Sequence, residues 1–177
     1  MRQLGLFLVA ALLLAGCVEQ VKTISPDTLV PYTNAEHHFS ISYPEGWSVL
    51  PNPEEFIAVK FDSYGEFIQV TRPLSSESLS LKELAASFVS GFKEENAAQN
   101  GGTLMVVFDG ATVVHGYAAH AIVLEIEGDL GMKLKAIVIQ SKKNPAEIYV
   151  VSILAPKNLY VRNSATYDAV IESFREN

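Results

Sequence analysis

With 20 Asp and Glu against 13 Lys and Arg, this 177-residue chain carries a net charge of −7. That balance excludes the broadly cationic surface on which nucleic-acid binding depends. One cysteine makes an intramolecular disulfide impossible, so the fold must rest on packing alone.

The chain opens with Arg2 as its only early charge and an apolar run from Leu4 to Leu14. Such a run is too short to span about 30 Å of hydrocarbon and has the form of a secretory signal. Small Ala15 and Gly16 admit a peptidase, and Cys17 directly after them offers a thiol for acylation. Leu14-Ala15-Gly16-Cys17 resembles the bacterial lipobox. It implies cleavage after residue 16 and a lipid, palmitate among its acyl groups, on Cys17. Arg2 leaves with the signal, so the mature chain holds 12 basic and 20 acidic residues, a net of −8. One acyl chain binds a bilayer only marginally, at about 0.8 kcal/mol per buried CH₂, so stable anchoring needs more than one.

Residues 17–36 are polar, interrupted by Pro26 and Pro31, and read as a flexible tether. A single domain is expected over 37–177. His38–Tyr43 alternates as a strand with Phe39, Ile41 and Tyr43 on the core side. Pro44-Glu45-Gly46 turns the chain, and Trp47 follows as a core plug, a structural anchor rather than a stacking platform. Strands over Ile57–Asp62 and Phe67–Arg72 flank a hairpin turn. Ser80-Leu81-Lys82-Glu83 forms a capping box. Leu81, Leu84, Ala85, Phe88 and Phe92 then recur at helical spacing, as far as a stop at Asn100-Gly101-Gly102. Leu104–Asp109 and Ala111–His115 read as two strands separated by a turn at Gly110.

His120–Glu127 and Met132–Ser141 flank Asp129-Leu130-Gly131, a three-residue hairpin loop with glycine at a left-handed position. Pairing Gly128 with Met132 sets Ile126 opposite Leu134 and Leu124 opposite Ala136. The same register sets Glu127 opposite Lys133 and Glu125 opposite Lys135. Ile148–Leu154 suits a central strand, and Tyr167, Val170, Ile171 and Phe174 share one face of a last helix. This order of elements argues an α+β fold.

Few residues suggest chemistry. Glu36 and His38 are the first choice for a divalent metal, because neighbouring His37 would point to the opposite strand face. His115 and His120 differ by an odd number and diverge on an extended run. Glu125 and Glu127 have the spacing of paired carboxylates, but Lys133 and Lys135 match them as cross-strand ion pairs. Ser75, Ser76, Ser78 and Ser80 lack a nucleophile elbow, and no phosphate-binding glycine loop appears. Lys142-Lys143 is too small a basic spot for nucleic acid. No catalytic residue and no required cofactor emerge.

Tyr32-Thr33-Asn34 and Phe39-Ser40-Ile41-Ser42-Tyr43-Pro44-Glu45-Gly46-Trp47 resemble the PsbP-like family. In order follow the helix from Leu81, Gly116-Tyr117-Ala118-Ala119, Ile148-Tyr149-Val150-Val151, Ala155-Pro156, and Val170-Ile171-Glu172-Ser173-Phe174. The resemblance runs from Tyr32 to Phe174. It implies an antiparallel β-sheet sandwiched between helices, in a family that holds the extrinsic protein of the photosystem II oxygen-evolving complex and lipoprotein relatives in non-photosynthetic organisms. The expected function is therefore a non-catalytic accessory or binding module, held by Cys17 to the extracytoplasmic face of a membrane and docking on a membrane-protein complex. Two alternatives remain open. One is a PsbP-type photosystem II subunit on the thylakoid lumen side, although Ala35-Glu36-His37-His38 replaces that branch's acidic-glycine-aromatic approach. The other is a small-ligand or metal carrier, or an enzyme.

Overall fold

The computed structural model describes residues 24–76, 79–98, 102–128 and 131–177. The signal segment, Cys17, Ser78, Asp129 and Leu130 lie outside them. The described residues fold as eleven strands and two α-helices after a short 3₁₀ turn at Pro26–Thr28. In chain order these are β1 (Leu29–Asn34), β2 (Phe39–Pro44), β3 (Ser48–Glu54), β4 (Ile57–Ser63), β5 (Glu66–Thr71), β6 (Leu74–Ser75) and α1 (Leu81–Ala98). After them come β7 (Leu104–Val114), β8 (Tyr117–Ile126), β9 (Met132–Gln140), β10 (Glu147–Pro156), α2 (Lys157–Glu172) and β11 (Arg175–Glu176).

Ile148-Tyr149-Val150-Val151-Ser152-Ile153 is apolar but for Ser152 and rich in β-branched residues, the composition of a strand buried on both faces. It forms the middle of β10, at the centre of a sheet ordered β3-β4-β5-β10-β9-β8-β7 with antiparallel neighbours throughout. Pro73 cannot donate to a ladder, and here the strand beside β10 breaks into β5 and β6. The Thr71 hydroxyl fills the gap, accepting the Val150 N–H at 2.8 Å. A second sheet, β1-β2-β11, sews both chain ends to β2.

Alternate residues of the central strands fall into separate core clusters. Ala119, Ala121, Ile137, Ile139, Tyr149, Val151 and Ile153 pack with Phe39 and Ile41 of β2 and with Tyr160, Tyr167, Val170 and Ile171 of α2. Ile122, Leu124, Leu134, Ala136, Val138, Ile148 and Val150 pack with Leu81, Leu84, Ala85, Phe88 and Phe92 of α1. Phe174, fully buried, ties the first cluster together: its ring lies 6.0 Å from Phe39, 6.0 Å from Tyr117 and 5.2 Å from Tyr149. Trp47 is buried in the same cluster.

The capping box forms as expected. The Ser80 N–H donates to Glu83 Oε2 at 2.8 Å and the Glu83 N–H returns to Ser80 Oγ at 3.3 Å. Three expectations need correction. Leu29–Asn34, inside the stretch read as tether, is β1, because Tyr32 has the aromatic edge of Phe61 to cover, 5.4 Å between ring centres. Gly110 makes no turn: 104–114 is one strand, and a Cβ at Gly110 would lie 3.0 Å from the tip of the Phe108 ring, a tight contact that glycine relieves.

The β8–β9 register is two residues from that expected. Ile126 faces Met132, Leu124 faces Leu134, Ile122 faces Ala136 and Glu125 faces Lys133. A shift by two preserves which face each side chain occupies, so the apolar pattern cannot separate the two registers. What decides is the connection. Glu127 leaves the strand to donate its N–H to the Thr103 carbonyl at 2.8 Å, and the Gly131 N–H closes on the Gly128 carbonyl at 3.0 Å.

Gly131 holds φ +47, in the left-handed region. Gly131→Val should therefore destabilise the domain by about 1–2 kcal/mol in urea unfolding, since a β-branched residue is strained there.

The hairpin turn at Tyr64-Gly65 has φ 44 and 85, the paired positive values of a type I′ turn, and Tyr64 is 93% exposed. Asparagine suits the first position far better. Tyr64→Asn should raise stability by about 0.5–1 kcal/mol in the same measurement.

Candidate functional site

The β1–β2 turn, 35–38, carries the residues considered for a metal. His38 is exposed with φ 54, so it belongs to the turn and not to the strand. It is His37 that approaches Glu36, with Nε2 3.7 Å from Oε1. Asn34 Oδ1 accepts the His37 N–H at 2.9 Å, and the Tyr149 hydroxyl donates to the His37 carbonyl at 3.1 Å. Glu36 Oε2 accepts from Asn52 at 3.4 Å. Glu36 and His38 are therefore not brought together by any hydrogen bond or ion pair among the described residues. Nor does any group of three His, Cys, Asp or Glu converge among them.

A different histidine has a partner. His120 is buried on β8, with Nε2 2.5 Å from Asp109 Oδ1 on β7. Ala111 lies opposite His120 and Asp109 opposite Ile122, so the pair is a diagonal contact on the α1 side of the sheet. His120 opens into a cleft of about 410 Å³ beneath the start of α1, lined also by Ser76, Ser80, Leu84 and Ile148. A carboxylate that fixes an imidazole is half of a proton relay. The other half would be a hydroxyl, and Ser80 Oγ is committed to Glu83 Oε2 at 2.7 Å. Sequence reasoning missed this pair because a turn at Gly110 would have put Asp109 and Ala111 on different strands, so that Asp109 was not expected diagonal to His120. Reading 104–114 as one strand is the signal that would have found it.

The paired-carboxylate candidate separates. Glu125 sits between Lys157, 2.5 Å away, and Lys133, 3.3 Å away, while Glu127 lies outside the strand. The hydrogen bond from Lys157 holds the Glu125 carboxyl below the usual range. Lys135 pairs with Asp168 of α2 at 2.7 Å. Lys142 lies over the Tyr117 ring, 4.1 Å from its centre, and Lys143 bonds the Asn177 carbonyl.

The N-terminal approach to the domain is clamped. The Ile24 N–H donates to Asn163 Oδ1 at 3.1 Å, and Thr166 Oγ1 donates to the Ile24 carbonyl at 2.7 Å. Asn163, in turn, donates to Glu66 Oε1 at 3.4 Å within the core. Ile24, the first described residue, thus sits on the α2 side.

Among the described residues, apolar surface lies open at the β7 end of the sheet. β7 is an edge strand, and Met105, Val106, Val107, Phe108 and Val113 are exposed along it. Beside it, on the α2 side, runs an open groove of about 450 Å³ lined by Phe108, Thr112, Val114, Val123, Ile137 and Asp168.

The architecture matches a solved structure, that of cyanobacterial PsbP (CyanoP) from Synechocystis sp. PCC 6803. The match covers 92% of this chain and 98% of that one with a TM-score of 0.66, at 15% identity. The fold is PsbP-like. Two other proteins share it. The Saccharomyces cerevisiae Ran-binding protein Mog1p matches over 84% of this chain and 95% of its own, TM-score 0.57 and 13% identity. LpqN of Mycobacterium tuberculosis, involved in cell envelope biogenesis, matches over 82% and 88%, TM-score 0.57 and 10% identity. No protein-family profile and no curated sequence matches the chain. At these identities the PsbP-like fold is what is shared.

Burial raises the Glu66 carboxyl above its ordinary 4.5, outweighing the hydrogen bonds that would lower it. The native state then keeps a proton that the unfolded chain has released. Stability from protonated Glu66 is complete below the ordinary value and is lost as pH climbs to the raised one. Glu66→Gln should accordingly lessen the loss of stability as pH rises above the ordinary carboxyl value, read from urea midpoints. An unchanged slope would mean that Glu66 is not the group responsible.

Proposed function

We propose that this chain is an exported lipoprotein whose PsbP-like domain is a non-catalytic binding module, acylated at Cys17 and held close to the bilayer it docks from. The observation that carries this reading is the clamp on Ile24. Only seven residue steps separate Cys17 from Ile24, which at full extension reach at most about 25 Å. A domain so placed has its α2 side towards the membrane and meets partners rising from the same surface. Confinement to that surface raises effective concentration, so a weak interface suffices.

The chemistry is consistent with binding. Glu125 is neutralised by Lys157 and Lys133, and Ser80 is engaged in a cap. Among the described residues no helix is long and apolar enough to cross a membrane. The layering belongs to the same reading: an antiparallel sheet sandwiched between helices, supported by the opposite parity of the residues that meet α1 and α2. The likeness to CyanoP supports a second reading, a PsbP-type photosystem II subunit, and the source organism's possession of photosystem II separates the two.

Cys17→Ser removes the thiol that acylation requires and should move the protein from the detergent phase to the aqueous phase. Unchanged partitioning would sink the anchor. Affinity capture of the full chain from detergent-solubilised membranes should recover a membrane-protein complex, with recovery reduced far more by Cys17→Ser than by His38→Ala. Turnover of a substrate, abolished by His120→Gln, would overturn the binding-module reading.

A further inference from the structure

The two edges of the large sheet are built differently. β3, at one end, carries Pro51 and Pro53, a register break between Pro51 and Glu54, and the acidic Glu54. Prolines, bulges and charges are the devices that stop an edge from pairing. β7, at the other end, is 11 residues long and contains neither proline nor lysine nor arginine. A register break between Val106 and Phe108 is its one protective feature. Its single charge, Asp109, is held by His120. Among the described residues no strand pairs with its outer side.

An occupant must therefore supply a run of backbone donors and acceptors, with apolar side chains and no second acid beside Asp109. We propose that this occupant is β7 of a second copy of the chain, antiparallel and centred on Gly110, so that the two large sheets become one. In that register Val107 meets Val113 of the second copy, and these are the most exposed valines of the strand, at 52% and 62%. Phe108 meets Thr112, and the two glycines at the centre leave room beside both phenylalanine rings. Asp109 meets Ala111, whereas a centre at Asp109 would set two carboxylates face to face. One two-fold register thus satisfies charge and shape together.

The symmetry also agrees with where the chain ends emerge. Antiparallel pairing places the two-fold axis perpendicular to the sheet, so both copies keep their α2 layers on one side. Ile24 is clamped to that layer, so Ile24 of both copies lies on the same side, as two anchors in one bilayer require. The pairing itself rests on β7 alone and not on the functional reading. Mass in solution tests it without any docking partner.

The full-length lipidated chain, purified in detergent, should have the mass of a dimer at micromolar concentration. Val113→Lys, on a side chain already exposed, should weaken the dimer at least about tenfold with an unchanged circular dichroism spectrum. Copies carrying Val107→Cys should form a disulfide under diamide when mixed with copies carrying Val113→Cys. Either variant alone should not, because like positions lie about 20 Å apart. Together these results support the pairing. A monomer at about 100 μM, a concentration at which even a weak specific interface is populated, overturns it. So does a dimer indifferent to Val113→Lys with no mixed disulfide, which puts the interface elsewhere. A monomer whose Val107→Cys side chain cross-links to a different membrane protein assigns the edge to that protein and overturns it equally.

Discussion

Burial of β10 on both faces is the constraint on which the rest of the structure depends. The strand joins β3-β4-β5 to β9-β8-β7, and its alternate side chains supply both core clusters. At about 25 cal/mol per Å² of apolar area, neither face could be left wet. Each set packs into a cluster of its own. α1 covers Ile148 and Val150, and α2, with β2 beneath it, covers Tyr149, Val151 and Ile153. No disulfide assists, so this double coverage carries the fold.

From that constraint follows the placement of everything with functional interest. α2 covers the middle of its side but stops short of β7, which leaves the groove beside Phe108 and the exposed edge. α1 starts next to Ser76 and Ser80 and leaves a cleft over His120. Ile24 is clamped against α2, which puts the first described residue on that side of the domain. The clamp on Ile24, the cleft over His120 and the β7 edge are thus separate regions of one scaffold.

The C-terminus does more than close the chain. Phe174 fills the space between β2, β8 and β10, and Glu176 accepts the Ser141 hydroxyl at 2.5 Å and the Lys142 N–H at 3.0 Å. The Asn177 N–H reaches the His38 carbonyl at 2.7 Å. The β1–β2 turn, where a metal was considered, is thereby a structural junction. Its polar groups are largely occupied in holding the small sheet to the large one.

Local signals in the sequence determined the lipobox reading, the capping box at Ser80, the apolar faces of both helices, and the identity of β10 as a central strand. Each depends on residues a few positions apart, where spacing alone decides geometry. The Tyr-Pro-x-Gly-Trp element and the order of the segments likewise carried the PsbP-like fold. Tertiary structure alone decided the β8–β9 register, because a slip of two residues leaves every side chain on its own face and only the Thr103 and Gly128 carbonyls distinguish the choices. It alone decided that Gly110 continues a strand, since the reason is a phenylalanine ring lying over it. It alone joined His120 to Asp109 and, among the described residues, left the other side of β7 without a paired strand, because contacts between strands depend on how distant segments assemble, and no single segment records that.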